Sequence, residues 1–246
     1  IIMKKLKIDI NADVGEGIEN ENELFPFISS CNIACGGHTG NYKTMLSTVG
    51  LAKQHNVKIG AHPSFEDREN FGRKILKVDK KELLSSLINQ VESLQDILKK
   101  EEMTLNHIKA HGALYNLSAF DKDSAKVIIE LAKKFKTKLY VPYSTLISKM
   151  AKEQGIETYN ELFIDRNYNS DLTLVSRENS NALIRDSKTM FEHVKKIIND
   201  KIITSINNKN ISVEFDTLCI HGDSPNAIEL IKDLHFKLKS IGIKII

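Results

Sequence analysis

Short apolar runs that stop on a histidine or a carboxylate and then turn at glycine or proline recur along this chain, with amphipathic helices between them. The first is Leu6-Lys7-Ile8-Asp9-Ile10-Asn11-Ala12-Asp13-Val14, closed by Gly15-Glu16-Gly17. Strand side chains alternate with a period of two, so Ile8, Ile10, Ala12 and Val14 share one face and Asp9, Asn11 and Asp13 the other. A surface strand with solvated acids would satisfy this segment alone. The same grammar returns at Gly36-Gly37-His38, His62-Pro63, His111-Gly112 and His221-Gly222-Asp223, each at or just beyond the end of an apolar run. In α/β proteins, ligands bind beyond the carboxyl ends of the strands.

The intervening segments have helical spacing. Asn41 is a good N-cap for Met45, Leu46, Val49 and Ala52, and Asp79 with Glu82 has capping-box spacing before a stripe from Leu83 to Leu98. Further helices surround Val127, Ile128 and Leu131, and Met190, Val194 and Ile197. Lys138–Pro142 and Ile156–Phe163 read as further strands, and Ile202–Ile206 with Ile211–Phe215 as a small β-hairpin insertion. The alternation predicts one α/β domain over residues 1–246, with a parallel sheet closed by outer helices.

Composition removes several classes of function. A net charge of +3, with lysines spread along helices, argues against nucleic acid. No apolar run approaches the roughly 18 residues of a membrane helix. No signal-peptide pattern appears, and three cysteines are an odd count, so a reducing, cytoplasmic setting is expected. Cys31 and Cys35 in one strand would lie about 13 Å apart at about 3.3 Å per residue, too far for a disulfide. No Walker loop and no Gly-x-Ser-x-Gly elbow occurs.

In a closed barrel all the strand ends converge on one rim, whatever their separation in sequence. Asn11, Asp13, His38, His62, Lys109, His111 and His221 are therefore predicted around one cavity. His107 and His111 have the offset of a helical zinc pair, but Ile108 and Ala110 alternate with them as in a strand. Asp13, His38 and His62 offer an oxygen and two nitrogens to a divalent metal, an option that ligand types alone leave open.

Asn11-Ala12-Asp13-Val14-Gly15-Glu16-Gly17, Asn32-Ile33-Ala34-Cys35-Gly36, Gly60-Ala61-His62-Pro63-Ser64-Phe65, Asp67-Arg68-Glu69-Asn70-Phe71-Gly72-Arg73 and His111-Gly112-Ala113-Leu114-Tyr115-Asn116 resemble the signatures of the LamB/YcsF family. Asp165-Arg166-Asn167-Tyr168 and Cys219-Ile220-His221-Gly222-Asp223 extend the resemblance across the chain. It implies a distorted, seven-stranded β/α barrel like those of the glycoside hydrolase and deacetylase superfamily. It also implies ATP-dependent opening of 5-oxo-L-proline to L-glutamate, with ATP as co-substrate and two partner subunits, B and C. The sequence departs from the family pattern at Gly37, Thr39, Asn41, Ala110 and Ser176. Gly37, where the family has a large side chain, is expected to widen the wall beside His38.

For that chemistry Asp13 is the favoured general base and Glu16 the second, with His62 or His111 shuttling protons. Lys109 and Asn11 would stabilise developing charge or hold the substrate carboxylate. Arg68 and Arg73 would bind phosphate or carboxylate, unless they pair with Glu66, Asp67 and Glu69. His38, His221 and Asp223 complete the expected substrate wall. The rivals are a metal-dependent, deacetylase-like hydrolase acting alone, and a non-catalytic subunit that binds substrate or partners.

Overall fold

The structure is a computed structural model that describes residues 6–18, 21–222 and 226–246. β1 (Lys7–Val14) leads through two 3-10 turns to β2 (Ser30–Ala34), α1 (Tyr42–His55) and β3 (Lys58–His62). Next come α2 (Lys80–Lys100), β4 (Leu105–Ile108), α3 (Gly112–Ser118), α4 (Lys122–Phe135) and β5 (Lys138–Pro142). α5 (Leu146–Glu153), β6 (Thr158–Phe163), α6 (Ser187–Asp200) and the antiparallel hairpin of β7 (Ile202–Thr204) and β8 (Asn210–Ser212) follow. The chain closes with β9 (Thr217–His221), α7 (Ala227–Ser240) and β10 (Lys244–Ile245).

The parallel order β1-β2-β3-β4-β5-β6-β9 returns to β1, which makes a closed seven-stranded barrel. β9 pairs with β1 over Asp9–Asp13, and β10 takes the same edge lower down, at Lys7 and Ile8. The helices cover the outside as their spacing predicts. Asn41 caps α1 in a reciprocal box with Thr44, and Asp79 accepts from the Lys81 and Glu82 amides to open α2. The stripe of α2 buries Leu83, Leu87, Val91, Leu94, Ile97 and Leu98, while Leu84 and Ile88 stay half-buried. The β7–β8 hairpin precedes the last barrel strand, β9.

The barrel interior is polar, built in layers that rise with the inward residues of β1. At the bottom, Asp9 accepts from Ser29 (2.9 Å), Ser30 (2.7 Å) and Thr217 (2.7 Å). Above it, Asn11 donates across the barrel to Glu161 (2.9 Å) and to Thr217 (2.8 Å), and accepts from Asn32 (2.7 Å). His107 reaches Asn32 Oδ1 at 2.7 Å from the far side and stacks on Tyr140. Asp13 belongs to the uppermost layer, at the rim. So the polar residues of β1 point inward to partners, and solvation of a surface strand is excluded; all three are buried.

Gly60 is required by this filling. A Cβ there would run into the His107 imidazole, and the β3–β4 register shifts between Ile59 and Gly60 where that ring passes.

Candidate active site

Lys109 is the centre of the rim. It leaves β4 just past Ile108, and its ammonium is almost wholly enclosed (2% exposed). It lies 2.9 Å from Asp13 Oδ1, 2.9 Å from Glu161 Oε1, 3.2 Å from Cys219 Sγ and 3.4 Å from Asn11 Oδ1. Burial opposes its charge, but Asp13, Cys219 and Glu161 outweigh burial and hold the ammonium well above the ordinary lysine range. Tyr115 Oη donates to the other Glu161 oxygen at 2.6 Å. Every proton of Lys109 thus faces a protein acceptor, and its role is to fix the carboxylates beside it.

Asp13 accepts from Lys109 and from Asn32 Nδ2 (2.8 Å), and its second oxygen lies 3.4 Å from His62 Nε2. Burial alone would raise its pKa; His62 and Lys109 reverse that and hold the carboxyl well below the usual range. Asp13 is therefore an anion at neutral pH.

Behind it stand three histidines and Glu16. The Lys109 carbonyl is 2.8 Å from His62 Nδ1, and the Phe71 carbonyl is 2.9 Å from His111 Nε2. His62 Nε2 and His111 Nδ1 face each other at 3.0 Å. His38 stacks on His111 with centroids 3.6 Å apart, and reaches Ser64 through Nδ1 and Glu16 through Nε2, both at 3.0 Å. Burial, then neighbouring histidine charge, lowers His38 and His111 to about 3, so both rings are neutral near pH 7. Phe71, in the left-handed region at φ 55°, packs edge-on against both rings.

These groups open onto a cavity of about 730 Å³, ample for a small-molecule site, with Asp13, Glu16, His62, Lys109 and His111 at its inner end. Arg73, Arg166, Arg177 and His221 line it further out, together with Asp171 and Glu178. His221 Nδ1 lies 3.0 Å from Asp165 Oδ2. Burial disfavours that imidazolium, but Asp165 more than offsets it and raises the pKa.

The structure thus brings Asp13, Glu16, His62, Lys109, His111, Arg73 and His221 to one cavity. Asn11 belongs to the layer beneath, spent on Glu161, Thr217 and Asn32. His38 is buried behind Glu16 and His111 and does not line the cavity. Arg68 turns away and donates to the Gly40 carbonyl at 2.6 Å, which ties its loop to the β2–α1 turn. Asp223 lies outside the described residues. Gly37 does not widen the wall, because Gln90 and Ser64 occupy the space a side chain would need. The metal set Asp13, His38 and His62 is divided: Glu16, His38, His62 and His111 converge within 4.8 Å, and Asp13 groups with Cys219 and His221. The reading of the sequence missed Glu161, Tyr115, Arg166 and Arg177 as contributors to the cavity. Glu161 had a signal, since it sits near the carboxyl end of a strand.

A closed parallel barrel with paired charges, histidines and a cavity at the carboxyl ends of its strands is an enzyme architecture. The LamB/YcsF family model matches residues 8–246, and the chain belongs to that family. It is 36% identical over 248 residues to the 5-oxoprolinase A subunit of Pyrococcus furiosus, covering 98% of this chain and 97% of the relative. It is 37% identical to the 5-oxoprolinase A subunit of Staphylococcus aureus, covering 98% and 99%. The lactam utilization protein from Thermus thermophilus superposes with a TM-score of 0.91 at 32% identity, over 98% of this chain and 99% of that one. Among the described residues no helix is long and apolar enough to cross a membrane.

Proposed function

We propose that this chain is the lactam-opening subunit of an ATP-dependent 5-oxoprolinase, working with two partner subunits. The observation that carries the reading is the Asp13–Lys109–Glu161 cluster, an anion pinned beside a cavity that Arg73, Arg166, Arg177 and His221 also line. The relatives that carry the 5-oxoprolinase name supply the substrate class.

An unstrained five-membered lactam resists water, so its carbonyl needs activation. The lactam oxygen attacks the γ-phosphorus of ATP and ADP departs, which leaves C5 electrophilic. Water adds to C5 while Asp13 takes its proton, with Glu16 as the second candidate. Cleavage of the C–N bond then frees the amino group and leaves an acyl phosphate. A second water converts that to glutamate and inorganic phosphate. A carboxylate held as low as Asp13 is a weak base, and the phosphorylated carbon is electrophilic enough for a weak base to serve. The substrate carboxylate and the phosphates face Arg73, Arg166, Arg177 and the His221 imidazolium, which suit anions as forks or point charges. Lys109 holds Asp13 and Glu161 in place.

The test is glutamate release from 5-oxoproline and ATP, with the chain alone and with subunits B and C. Little or no turnover alone and ATP-coupled turnover in the assembly are expected. Full turnover by the chain alone refutes the need for partners, and no turnover in any combination refutes the reaction.

A further inference from the structure

We propose that Glu16, His62 and His111 form a binding site for a divalent transition-metal ion, with His38 as the residue that orients Glu16. The argument begins with where the ring protons must be. A backbone carbonyl only accepts, so the Lys109 carbonyl fixes a proton on His62 Nδ1 and the Phe71 carbonyl fixes one on His111 Nε2. His62 Nε2 and His111 Nδ1 are the nitrogens of these two rings that face no carbonyl. They face each other at 3.0 Å, and His62 Nε2 also lies 3.4 Å from Asp13 Oδ2. Glu16 Oε1 approaches the same His111 nitrogen at 3.5 Å, which adds a third donor atom.

Donor atoms of Glu16, His62 and His111 converge within 4.8 Å of one another in a buried site, the spacing a bound metal ion needs. A proton on His62 Nε2 would serve His111 and Asp13 and make no use of Glu16 Oε1. A metal ion uses all three donors. At Zn–N bonds of about 2.0–2.1 Å, tetrahedral ligand atoms lie about 3.3 Å apart, and the observed 3.0 and 3.5 Å bracket that edge. The His62 and His111 rings are inclined at 84°, so one ion can lie in both ring planes.

His38 cannot join them in plane. It is parallel to His111 within 4° at 3.6 Å, so an ion in the plane of one ring is out of the plane of the other. Its Nε2 instead meets Glu16 at 3.0 Å and aims that carboxylate. The carbonyls behind both ligand rings are the outer partners that metal-binding histidines normally have. Three protein ligands beside a cavity leave a further position open, as in catalytic metal sites. Two imidazoles and one carboxylate favour zinc, cobalt or iron over magnesium.

The experiment uses the full chain, stripped by a chelator and titrated with Zn²⁺ or Co²⁺ alone. Close to one ion per chain is expected, with visible Co²⁺ bands showing nitrogen ligation and no competition from excess Mg²⁺. His62→Gln and His111→Gln should each weaken binding by more than about 100-fold, and His38→Gln by about 10- to 100-fold, the range for an outer partner. No Zn²⁺ or Co²⁺ binding at millimolar metal, or binding unchanged in both ligand variants, overturns the proposal. So does nitrogen NMR of the zinc-saturated chain showing His62 doubly protonated at neutral pH. The Co²⁺ spectrum of the unaltered chain stands even where a variant fails to fold. Binding is read without ATP, lactam or partners, so failure of the 5-oxoprolinase reading leaves this one intact.

Discussion

Asp13→Asn tests both the chemistry and the electrostatics of the rim. By sequence alone, the change should silence the reaction and leave the fold nearly intact, because it relieves repulsion with nearby Glu16. The ion pair at 2.9 Å changes that expectation, since Asp13 is one of two carboxylate partners of a fully enclosed ammonium. Removing one member of a buried pair costs about 3–5 kcal/mol; Glu161 remains, so the low end, about 3 kcal/mol, applies. For a chain of this length each kcal/mol shifts the thermal midpoint by about 2–4 °C, which gives a drop of about 6–12 °C. Turnover of 5-oxoproline in the assembled complex should fall at least about 100-fold, as for loss of a general base. Repeating the change on Lys109→Met separates the two effects. With the ammonium gone, Asp13→Asn removes a repelling carboxylate and should cost little, so the cycle should show coupling of about 2 kcal/mol or more. Near-normal turnover would refute the base assignment, and additive melting shifts would refute the ion pair as the source of stability.

Acid should destabilise the protein before most carboxylates titrate. His38 and His111 fall to about 3 in the folded chain but take up protons near 6.5 when unfolded. The unfolded state binds more protons in that window, so their contribution is full above about 6.5 and is lost as pH falls towards about 3. Two such groups give a slope on the order of 2–3 kcal/mol per pH unit, measurable by urea unfolding between pH 6 and 4; a flat profile would contradict it. His221 runs the other way: its pKa is raised by Asp165, so its charge on the cavity wall, and anion binding with it, persists to higher pH than for an ordinary histidine and is lost as pH rises further, which a KM–pH profile would detect. Tyr115→Phe removes the donor to Glu161 Oε2 and should cost about 1–3 kcal/mol in thermal or urea unfolding. Cys31, Cys35 and Cys219 are buried free thiols, and burial pushes Cys35 up to about 12, so thiol reagents should label the native chain only as fast as it opens.

The barrel was legible because its grammar is local. Alternation in Ile8–Val14, the Asn41 and Asp79 caps and the strand ends at His62, His111 and His221 each occupy a few adjacent residues. Convergence on one rim then followed from topology alone. Partnerships across the interior were not legible. Glu161 meets Lys109 across a barrel in which β6 and β4 are not neighbours, and no spacing records that. Arg68 and Arg73 looked equivalent in one charged loop. The backbone fold of that loop sends one to the Gly40 carbonyl and the other to the cavity. His38 resembled a site residue because it follows two glycines. Its role depends on stacking with a ring contributed by a segment more than 70 positions away.

The polar filling also dictates when this chain can fold. Asn11 donates to Glu161, 150 positions later, and to Thr217, 206 positions later, while Asp9 accepts from Thr217 across 208. During synthesis from the N-terminus, β1 emerges with an inner face whose partners do not yet exist, and dehydrating those groups unpaired would be costly. The first half of the protein therefore waits, open and hydrated, until β9 arrives. Closure is then a late event with large sequence separation, the kind of topology that folds slowly. A chain released before Thr217 would lack the strand that pairs with β1 and the hydroxyl that bonds both Asp9 and Asn11. Its helices would retain an apolar face with no finished barrel to cover, making the unfinished chain a natural client for chaperones.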